Sequence, residues 1–315
     1  MALSMRTLIV TNMYPSPDHP ALGSFVADQV QALRRLDDPE LALELEVFAF
    51  SPGGYGAYVR AARQLRARYS TAPPFDVVHA HFGLTNWPAR AVPAAARAVT
   101  LHGTDLAHPR SRGLTLAALP RTQLIGVVST PLAQRIPRWA GRDRAQVLPC
   151  GVDLHRFRRI DRETARRELG LDPDGRYLLF PSDPRRPEKR HDQALQAAAG
   201  TPLLTLTDVP PDRVPLYVNA ANAVLIPSER EGFGLAVLEA LACDVPVLAT
   251  PVGIAPEVLA GLPGTLCQPF DAIAWRGALA PHLSDPDPRV DGRPRAEPYS
   301  SDRMAARVLA AWRAL

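Results

Sequence analysis

Residues 228–259, SEREGFGLAVLEALACDVPVLATPVGIAPEVL, decide the fold of this chain. The second half of the stretch alternates short apolar runs with proline and glycine, which is typical of buried strands and the turns between them. The first half is unusual, because two glutamates, Glu231 and Glu239, bracket a run that carries no other charge. Packing alone does not explain a carboxylate at each end of an apolar segment.

The local pattern places the two glutamates on different elements. Residues 223–227, AVLIP, predict a strand, and a helix is expected to begin near Gly234 or Leu235. Glu231 then lies in the loop at the carboxyl end of the strand, and Glu239 lies about one turn into the helix.

The start of that helix is expected to offer free backbone N–H groups, those of Phe233, Gly234 and Leu235. Such groups carry a partial positive charge and favour oxygen-rich or anionic ligands. The two carboxylates would repel phosphate but accept hydrogen bonds from sugar or ribose hydroxyls. The pattern therefore predicts a polyol site beside an anion site. A capping acid together with a solvated helix glutamate is the alternative interpretation.

Short apolar runs alternate with helical patterns along the whole chain. Strands are expected at 6–11, 43–50, 76–80, 98–101, 124–128, 177–182, 203–206, 223–227, 245–250 and 264–267. Helices are expected at 24–36, where Ser24 is the predicted N-cap, and at 58–69, 161–169, 190–199, 211–221, 234–242 and 254–260. Continuous apolar strands that alternate with helices predict a parallel sheet covered on both faces.

Two such series predict an α/β protein of two doubly wound domains that face each other across a cleft. The boundary is expected within LPCGVDLHRF (148–157), which gives a first domain at 1–150, a second at 151–298 and a final helix at 299–315. Ligands of open parallel sheets bind at the carboxyl ends of the strands, so the site is expected to line the cleft.

Length and composition agree with a globular protein of two domains. Of the 315 residues 46% are apolar and 22% are charged. No apolar run approaches the ~20 residues that span a bilayer, and the N-terminal run is expected to be a strand rather than a signal peptide. The three cysteines are far apart and indicate neither a disulfide framework nor a zinc site. A reducing cytoplasm is therefore the expected location.

The two halves differ in charge. Residues 1–150 carry 16 arginines and 10 acids (+6), and residues 151–315 carry 20 basic and 22 acidic groups (−2). A basic first half favours an anionic partner or surface, although a chance imbalance explains it equally well. In YVRAARQLRARY (58–69), arginines 60, 63 and 66 share one helical face, and Val59, Ala62 and Leu65 the other. Such a helix is compatible with peripheral docking on an anionic membrane and is also typical of an ordinary protein surface. No nucleic-acid partner is expected.

A basic cluster follows the first strand of the second half. The segment PSDPRRPEKRHDQAL (181–195) contains Arg185, Arg186 and Lys189, and Lys189 is the only lysine among the 36 lysine and arginine residues. A chain that uses arginine almost everywhere suggests a specific need for a compact point charge at this position, as in phosphate binding. A solvated surface cluster is the alternative.

The first half offers a histidine and a glycine loop. His102 follows an apolar strand in TLHGTDL (100–106), where it could hydrogen-bond a ligand hydroxyl or phosphate oxygen. Gly23 ends the loop of MYPSPDHPALGSFVADQV (13–30) and permits close backbone approach to a diphosphate. Neither a G-x-G-x-x-G fingerprint nor a Walker A motif is present. His79 and His81 are not expected to bind metal, because no third ligand is near and strand alternation should separate them.

Together these parts resemble the retaining glycosyltransferases of family 4, which have the GT-B fold. Glu231 and Glu239 match the E-x7-E signature of that family. The resemblance covers nearly the whole chain, in order: the Gly23 loop, HGTD (102–105), LPCGVDLHRF, RRPEK (185–189) and EGFGLAVLEALACDVPV. The tail YSSDRMAARVLAAWRAL resembles the family's final helix, which crosses back onto the first domain.

The resemblance implies a role for each matching residue. Glu231 would contact hydroxyls of the donor sugar, assisted by the Phe233 and Gly234 amides, with Leu235 beside them. Glu239 would bind the ribose. Donor phosphates would be held by Lys189, by Arg186 or Arg185, and by the Gly23 loop. His102 would touch sugar or phosphate. The family needs no metal and no further cofactor, and a UDP-sugar or GDP-sugar is the expected donor.

Three departures from the family pattern stand out. PSDPRRPEK moves the arginines towards Lys189, so the phosphate-binding arginine is either Arg185 or Arg186. Asp244 replaces a usual glycine, which is expected to alter only a turn. The segment 200–223 is short, so the chain resembles a trimmed member with one strand fewer.

The sequence therefore predicts transfer of a sugar from a nucleotide-diphosphate donor to a hydroxyl of a glycan, a lipid-linked acceptor or a small molecule. Two alternatives remain: a non-catalytic partner subunit that binds nucleotide sugar, and a nucleotide-sugar epimerase with the same fold, although such epimerases lack the E-x7-E pattern. The particular nucleotide, sugar, acceptor and oligomeric state do not follow from the sequence.

Overall fold

The structure, a computed structural model, describes residues 3–315. The chain forms two compact units. Of the described residues, the first contains 3–17, 22–151 and 302–315, and the second contains 18–21 and 152–301. Each unit is built on its own parallel sheet, as the alternation of apolar runs and helices predicts.

The first unit has a six-stranded sheet in the order β2-β1-β3-β4-β5-β6, with every neighbouring pair parallel. Its strands are β1 Leu3–Thr11, β2 Leu41–Ala49, β3 Phe75–His81, β4 Ala94–Leu101, β5 Leu124–Val127 and β6 Ala145–Val147. Five of them match predicted strands. The sixth was not predicted, because the three residues of β6 lie at the sheet edge and are partly or fully exposed, so they carry no apolar run.

Helices connect these strands. They are α1 Ser24–Arg35, α2 Tyr55–Tyr69, α3 Asn86–Ala89, α4 Thr104–Ala107, α5 Pro109–Ala118 and α6 Thr130–Gln134. The prediction that Ser24 caps α1 is wrong. Gly23 occupies the cap position with φ 65°, no side chain caps the helix, and Ser24 is its first residue. A left-handed conformation at this position favours glycine, which has no Cβ.

The face of α2 that packs on the unit differs from the expected one. The buried residues recur at a spacing of four: Ala57, Ala61, Leu65 and Tyr69. Val59, predicted on the apolar face, is 51% exposed, and Ala62 is only partly buried. The predicted basic face is solvent-exposed, with arginines 60, 63 and 66 at the surface.

The second unit has a five-stranded parallel sheet in the order β11-β10-β9-β7-β8. Its strands are β7 Leu178–Phe180, β8 Leu203–Thr205, β9 Ala223–Ile226, β10 Val247–Ala249 and β11 Leu266–Cys267. Each falls within a predicted strand. The central strands are fully buried, which is why they read as continuous apolar runs in the sequence.

The helices of the second unit are α7 Arg162–Glu168, α8 His191–Ala198, α9 Val214–Ala220, α10 Leu235–Ala242, α11 Ala255–Val258, α12 Ala272–Ser284 and α13 Arg293–Ala296. Short 3-10 turns complete the two units at Gly83–Thr85, Leu119–Arg121, Arg138–Ala140, Arg142–Arg144, Pro187–Lys189 and Glu297–Tyr299. The short segment 200–223 holds one strand, β8, and one helix, α9.

The last helix, α14 Ser301–Arg313, completes the core of the first unit from residue 302 onwards. Its apolar face contributes Met304, Val308 and Trp312 to a cluster that also contains Ile9 and Val30. Trp312 is 2% exposed, so its ring is part of the core. An ion pair from Arg313 to Asp38, 2.8 Å long, fixes the end of the helix.

Among residues 3–315, none of the helices combines the length and the apolar character that crossing a bilayer requires. Cys150, Cys243 and Cys267 are free thiols. Burial raises the pKa of Cys150 and of Cys243 to about 12, so both carry a proton near neutral pH.

Asp244 has a structural role that glycine could not supply. Its φ of 57° is the left-handed conformation that a glycine would adopt without strain. Its carboxylate accepts hydrogen bonds from the N–H groups of Gly292 and Arg293, at 3.2 and 2.9 Å. The side chain therefore ties the turn before β10 to the start of α13.

Two substitutions at Asp244 separate these effects. Asp244→Ala removes the acceptor and keeps the backbone strain, whereas Asp244→Gly removes the acceptor and relieves the strain. We expect both variants to lower the free energy of unfolding, and Asp244→Ala to be less stable than Asp244→Gly by roughly 1 kcal/mol. Urea denaturation of the variants measures this difference, and equal midpoints would contradict the account.

Candidate functional site

A partly buried ion pair joins two loops of the second unit. The Lys189 ammonium lies 2.7 Å from both carboxylate oxygens of Glu231. The two side chains are only 14% and 13% exposed. Lys189 ends the turn after β7 and Glu231 lies in the loop after β9, and these strands are neighbours in the sheet. The pair therefore sits at the carboxyl edge of the sheet, where parallel sheets bind ligands.

Polar contacts at the end of β9 orient the Glu231 carboxylate. The Ser228 hydroxyl donates to Glu231 Oε1 at 2.8 Å. The Thr250 hydroxyl in turn donates to the Ser228 carbonyl oxygen at 2.5 Å and so fixes the backbone there. The Glu229 N–H donates to the Glu188 carbonyl at 2.9 Å and links this loop to the Lys189 loop. The Glu231 carboxylate is thus held by the Lys189 and Ser228 side chains, and backbone hydrogen bonds fix the loops that carry them.

Tight backbone packing holds the rest of the Glu231 loop. The Ile254 N–H donates to the Phe233 carbonyl at 2.7 Å. Gly253 has φ 59°, and a Cβ there would overlap the Phe233 carbonyl and lie 3.0 Å from the Glu231 Cβ. The Phe233 ring is buried and packs against Tyr299 at 6.0 Å. The loop after β10 therefore fixes the conformation of the loop after β9, which carries Glu231.

The start of α10 has the predicted geometry. Gly234 is the N-cap, with φ 95°, and Leu235 is the first helical residue. Within residues 3–315, the N–H groups of Phe233, Gly234 and Leu235 donate to no backbone or side-chain acceptor. Glu239 is the fifth residue of the helix and is partly buried.

The predicted arginines do not join the Lys189–Glu231 pair. The Arg185 guanidinium binds the Asp183 carboxylate at 2.6 Å, and Arg186 binds Glu188 at 2.7 Å. Both guanidiniums are largely exposed, at 73% and 52%. The neighbouring carboxylates offset part of the positive charge of these arginines.

In the first unit, the loop after β4 is held by a buried carboxylate. Asp105 accepts hydrogen bonds from the N–H groups of Gly83, His102 and Gly103, at 2.5, 2.6 and 3.0 Å. Burial raises the pKa of Asp105, and the three N–H donors act in the opposite direction. Those donors match an ionised carboxylate, so the aspartate of HGTD fixes the backbone of His102.

Three histidines of the first unit stack together, and the prediction that strand alternation separates His79 from His81 is wrong. Residues i and i+2 of a strand share one face, and the rings of His79 and His81 are 4.8 Å apart and nearly parallel. His102 continues the stack at 5.3 Å from His81. Within residues 3–315, no group of three or more His, Cys, Asp or Glu side chains has the arrangement of a metal site.

Burial keeps these histidines neutral. It lowers the pKa of His81 to about 3 and the pKa values of His79 and His102 well below their usual range. His102 keeps some exposed surface. A neutral His102 acts as a hydrogen-bonding group rather than as a cation.

Gly23 packs against the backbone at the end of β1. A Cβ on Gly23 would overlap the carbonyl group of Met13, so only glycine fits. Two residues later, Phe25 packs against the His102 ring with 4.7 Å between centroids. The structure thus brings the start of α1 to His102 within the first unit.

Comparison with known proteins gives the family. The profile of "Glycosyltransferase Family 4" matches residues 26–156, and that of "Glycosyl transferases group 1" matches residues 188–297. D-inositol 3-phosphate glycosyltransferase of Mycobacterium avium is 33% identical, over 80% of this chain and 73% of that protein. The chain belongs to glycosyltransferase family 4.

Other relatives of this glycosyltransferase carry the same name, including a protein of Pseudarthrobacter chlorophenolicus that is 29% identical over 84% of the chain and 76% of that protein. Family membership confirms sugar transfer as the class of reaction and favours it over the epimerase and the non-catalytic subunit.

Solved structures show that the fold is GT-B. Sucrose-phosphate synthase of Thermosynechococcus elongatus superposes with a TM-score of 0.75 at 18% identity and covers 98% of both chains. Anabaena HepE, solved in complex with UDP, has a TM-score of 0.68 at 13% identity and covers 99% of this chain and all of that one. At these identities the likeness concerns the fold alone.

The sequence did not indicate several residues that hold the two candidate clusters. They are Ser228, Thr250 and Gly253 around Glu231 in the second unit, and Asp105 beside His102 together with Gln29, which lies 3.3 Å from the His81 ring, in the first unit. The sequence around Gly253 does indicate a tight turn, because a glycine lies there between two branched apolar residues. Asp105 lay within a motif that was recognised through its histidine.

A substitution at Gly253 tests whether the loop after β10 fixes the Glu231 loop. Gly253→Ala places a Cβ against the Phe233 carbonyl, and we expect a loss of stability of about 1–3 kcal/mol beyond the cost of a left-handed alanine. Gly261 is the matched control, because it has φ 66° and open space at its Cβ position. Thermal unfolding of both variants measures the difference, and equal losses would show that the contact with Phe233 is unimportant.

The neutral histidines predict a pH dependence of stability. Each binds a proton in the unfolded chain below about pH 6.5 but not in the folded unit, so the free energy of unfolding decreases as the pH falls from about 6.5 towards 4. His81→Phe should reduce this slope by up to ~1.4 kcal/mol per pH unit, the value for one proton. Urea denaturation at pH 7.5, 6 and 5 provides the measurement, and an unchanged slope would mean that His81 is protonated in the folded unit.

Proposed function

We propose that this transferase moves a sugar from a nucleotide-diphosphate-sugar donor to a hydroxyl acceptor, with retention of anomeric configuration and without a metal ion. The observation that carries the proposal is the Lys189–Glu231 pair at the carboxyl edge of the second sheet. It lies in the same loop system as the free N–H groups at the start of α10. Anion-binding and hydroxyl-binding groups are therefore close together.

The hydrogen bonds of the pair leave capacity for a donor. An ammonium group has three N–H donors, and two of the acceptors around Lys189 are the oxygens of Glu231. The third N–H is available for a phosphate oxygen. Glu231 Oε2 accepts from Lys189 alone, whereas Oε1 also accepts from Ser228, so Oε2 has more capacity for a sugar hydroxyl.

The leaving diphosphate requires positive charge, and side chains can supply it. Lys189 is fixed in place, and Arg186 or Arg185 would have to leave Glu188 or Asp183 to bind a phosphate. Cationic side chains that meet the developing charge perform the electrostatic stabilisation that a metal gives in other transferases. We propose that this exchange of partners would supply the positive charge of a metal-independent reaction.

The other donor contacts follow the family pattern. Glu239 would hold the ribose, and the N–H groups of Phe233, Gly234 and Leu235 would face the phosphates or sugar. Gly23 and His102 would also contact the donor. The UDP complex of HepE agrees with a uridine or similar nucleotide. We propose a UDP-sugar or GDP-sugar as donor and a hydroxyl of a glycan, a lipid-linked acceptor or a small molecule as acceptor.

A thermal-shift panel with UDP, GDP, ADP and their sugar conjugates tests donor binding. A ligand at about 100 times its dissociation constant stabilises the folded state by ~2.7 kcal/mol. We expect a shift with one nucleotide, and its loss in Glu239→Ala. Glu163→Ala, an exposed helical glutamate in α7, is the matched control and should retain the shift. No shift with any nucleotide would remove the nucleotide-donor claim.

The chemistry is tested with the nucleotide sugar that the panel identifies. Transfer to added acceptor should persist in EDTA, give a product with the anomeric configuration of the donor by NMR, and fall at least ~100-fold in Glu231→Gln. An inverted product or complete loss of activity in EDTA would overturn the corresponding part of the proposal. Full turnover in Glu231→Gln would show that the catalytic site does not include Glu231.

A further inference from the structure

Two hydrogen bonds connect helix α1 to His102 through a buried histidine. The side-chain nitrogen Nε2 of Gln29 lies 3.3 Å from Nε2 of His81. On the other side of the same ring, Nδ1 of His81 lies 3.1 Å from Nε2 of His102. Gln29 is 6% exposed and His81 is fully buried, so water does not compete for these contacts.

The direction of the first bond determines the protons on both rings. An amide nitrogen donates and does not accept, so His81 Nε2 must be the acceptor. A neutral imidazole carries one proton, which then lies on His81 Nδ1 and is donated to His102 Nε2. With Nε2 occupied as an acceptor, the proton of a neutral His102 lies on Nδ1.

Ring packing fixes the orientation of His102 as well. His81 stacks on it with an interplanar angle of 19°, and Phe25 covers it at 4.7 Å. Helix α1 supplies both Phe25 and Gln29. One element therefore controls where the His102 ring lies and which of its nitrogens carries the proton.

We propose that Gln29 and His81 are positioning residues that hold His102 in the Nδ1–H tautomer. His102 then presents an N–H group to the nucleotide-sugar substrate. The inference rests on the proposed function only in the identity of that ligand. A donor N–H suits a sugar hydroxyl oxygen or a phosphate oxygen and cannot act as a base. His102 thus contributes by orientation and not by proton transfer.

The neighbouring histidine supplies a control. Trp312 Nε1 donates to His79 Nδ1 at 3.0 Å, and His79 Nε2 lies 2.8 Å from the Thr100 hydroxyl. These bonds belong to the same buried stack but do not reach His102. Trp312→Phe therefore removes a buried donor from this region and leaves the Gln29–His81–His102 contacts in place.

Nitrogen-15 NMR of histidine-labelled protein tests the tautomer directly, with His102→Gln to assign the signals. We expect His102 to be protonated on Nδ1 in the wild type and in Trp312→Phe, and to become a mixture of tautomers in Gln29→Leu and His81→Phe. A wild-type His102 protonated on Nε2, or an unchanged tautomer in both variants, would overturn the proposal. This readout does not depend on turnover.

Kinetics with the nucleotide sugar gives the second readout. Gln29→Leu and His81→Phe should lower kcat/KM about 10-fold or more, with thermal unfolding used to confirm folding, while Trp312→Phe stays within about twofold. Unchanged kcat/KM in variants with a mixed tautomer would overturn the positioning role. If the wild type transfers no sugar, the proposed function fails, and the NMR result still decides whether Gln29 and His81 set the tautomer.

Discussion

The ion pair between Lys189 and Glu231 is the interaction on which the second unit's site depends. Taking two charges out of water is costly, and removing either partner would leave the other uncompensated. The pair persists because both loops start from adjacent buried strands and Ser228 satisfies a further lone pair of the carboxylate. A fixed opposite charge keeps the lysine in place.

The first unit arranges its polar cluster by a different means. The cluster consists of neutral histidine rings and one buried aspartate, and hydrogen bonds fix their positions. The polar clusters of the two units therefore differ in chemistry. The cluster of the second unit contains a cation and a carboxylate, and that of the first contains neutral histidine rings.

The sequence predicted the features that depend on the local pattern of apolar and polar residues. Continuous apolar runs located ten of the eleven strands within residues 3–315. The loop position of Glu231 and the helical position of Glu239 followed from the residues between them. The sequence did not predict the contacts that depend on the order of strands in the sheet. Lys189 reaches Glu231 because β7 and β9 are neighbours while β8 lies at the edge, and His81 reaches His102 because it pairs with Thr100. The prediction that separated His79 from His81 was wrong, because residues i and i+2 of a strand share one face of the sheet.

The position of α14 in the first unit bears on how the chain folds during synthesis. Residues 152–301 are contiguous and contain nearly all of the second unit, so that unit can fold as soon as they leave the ribosome. The first unit, although it is made earlier, lacks Trp312 and the rest of its α14 core until translation has passed residue 312. The half that is synthesised first is thus completed last, and an incomplete chain exposes the apolar surface that α14 covers.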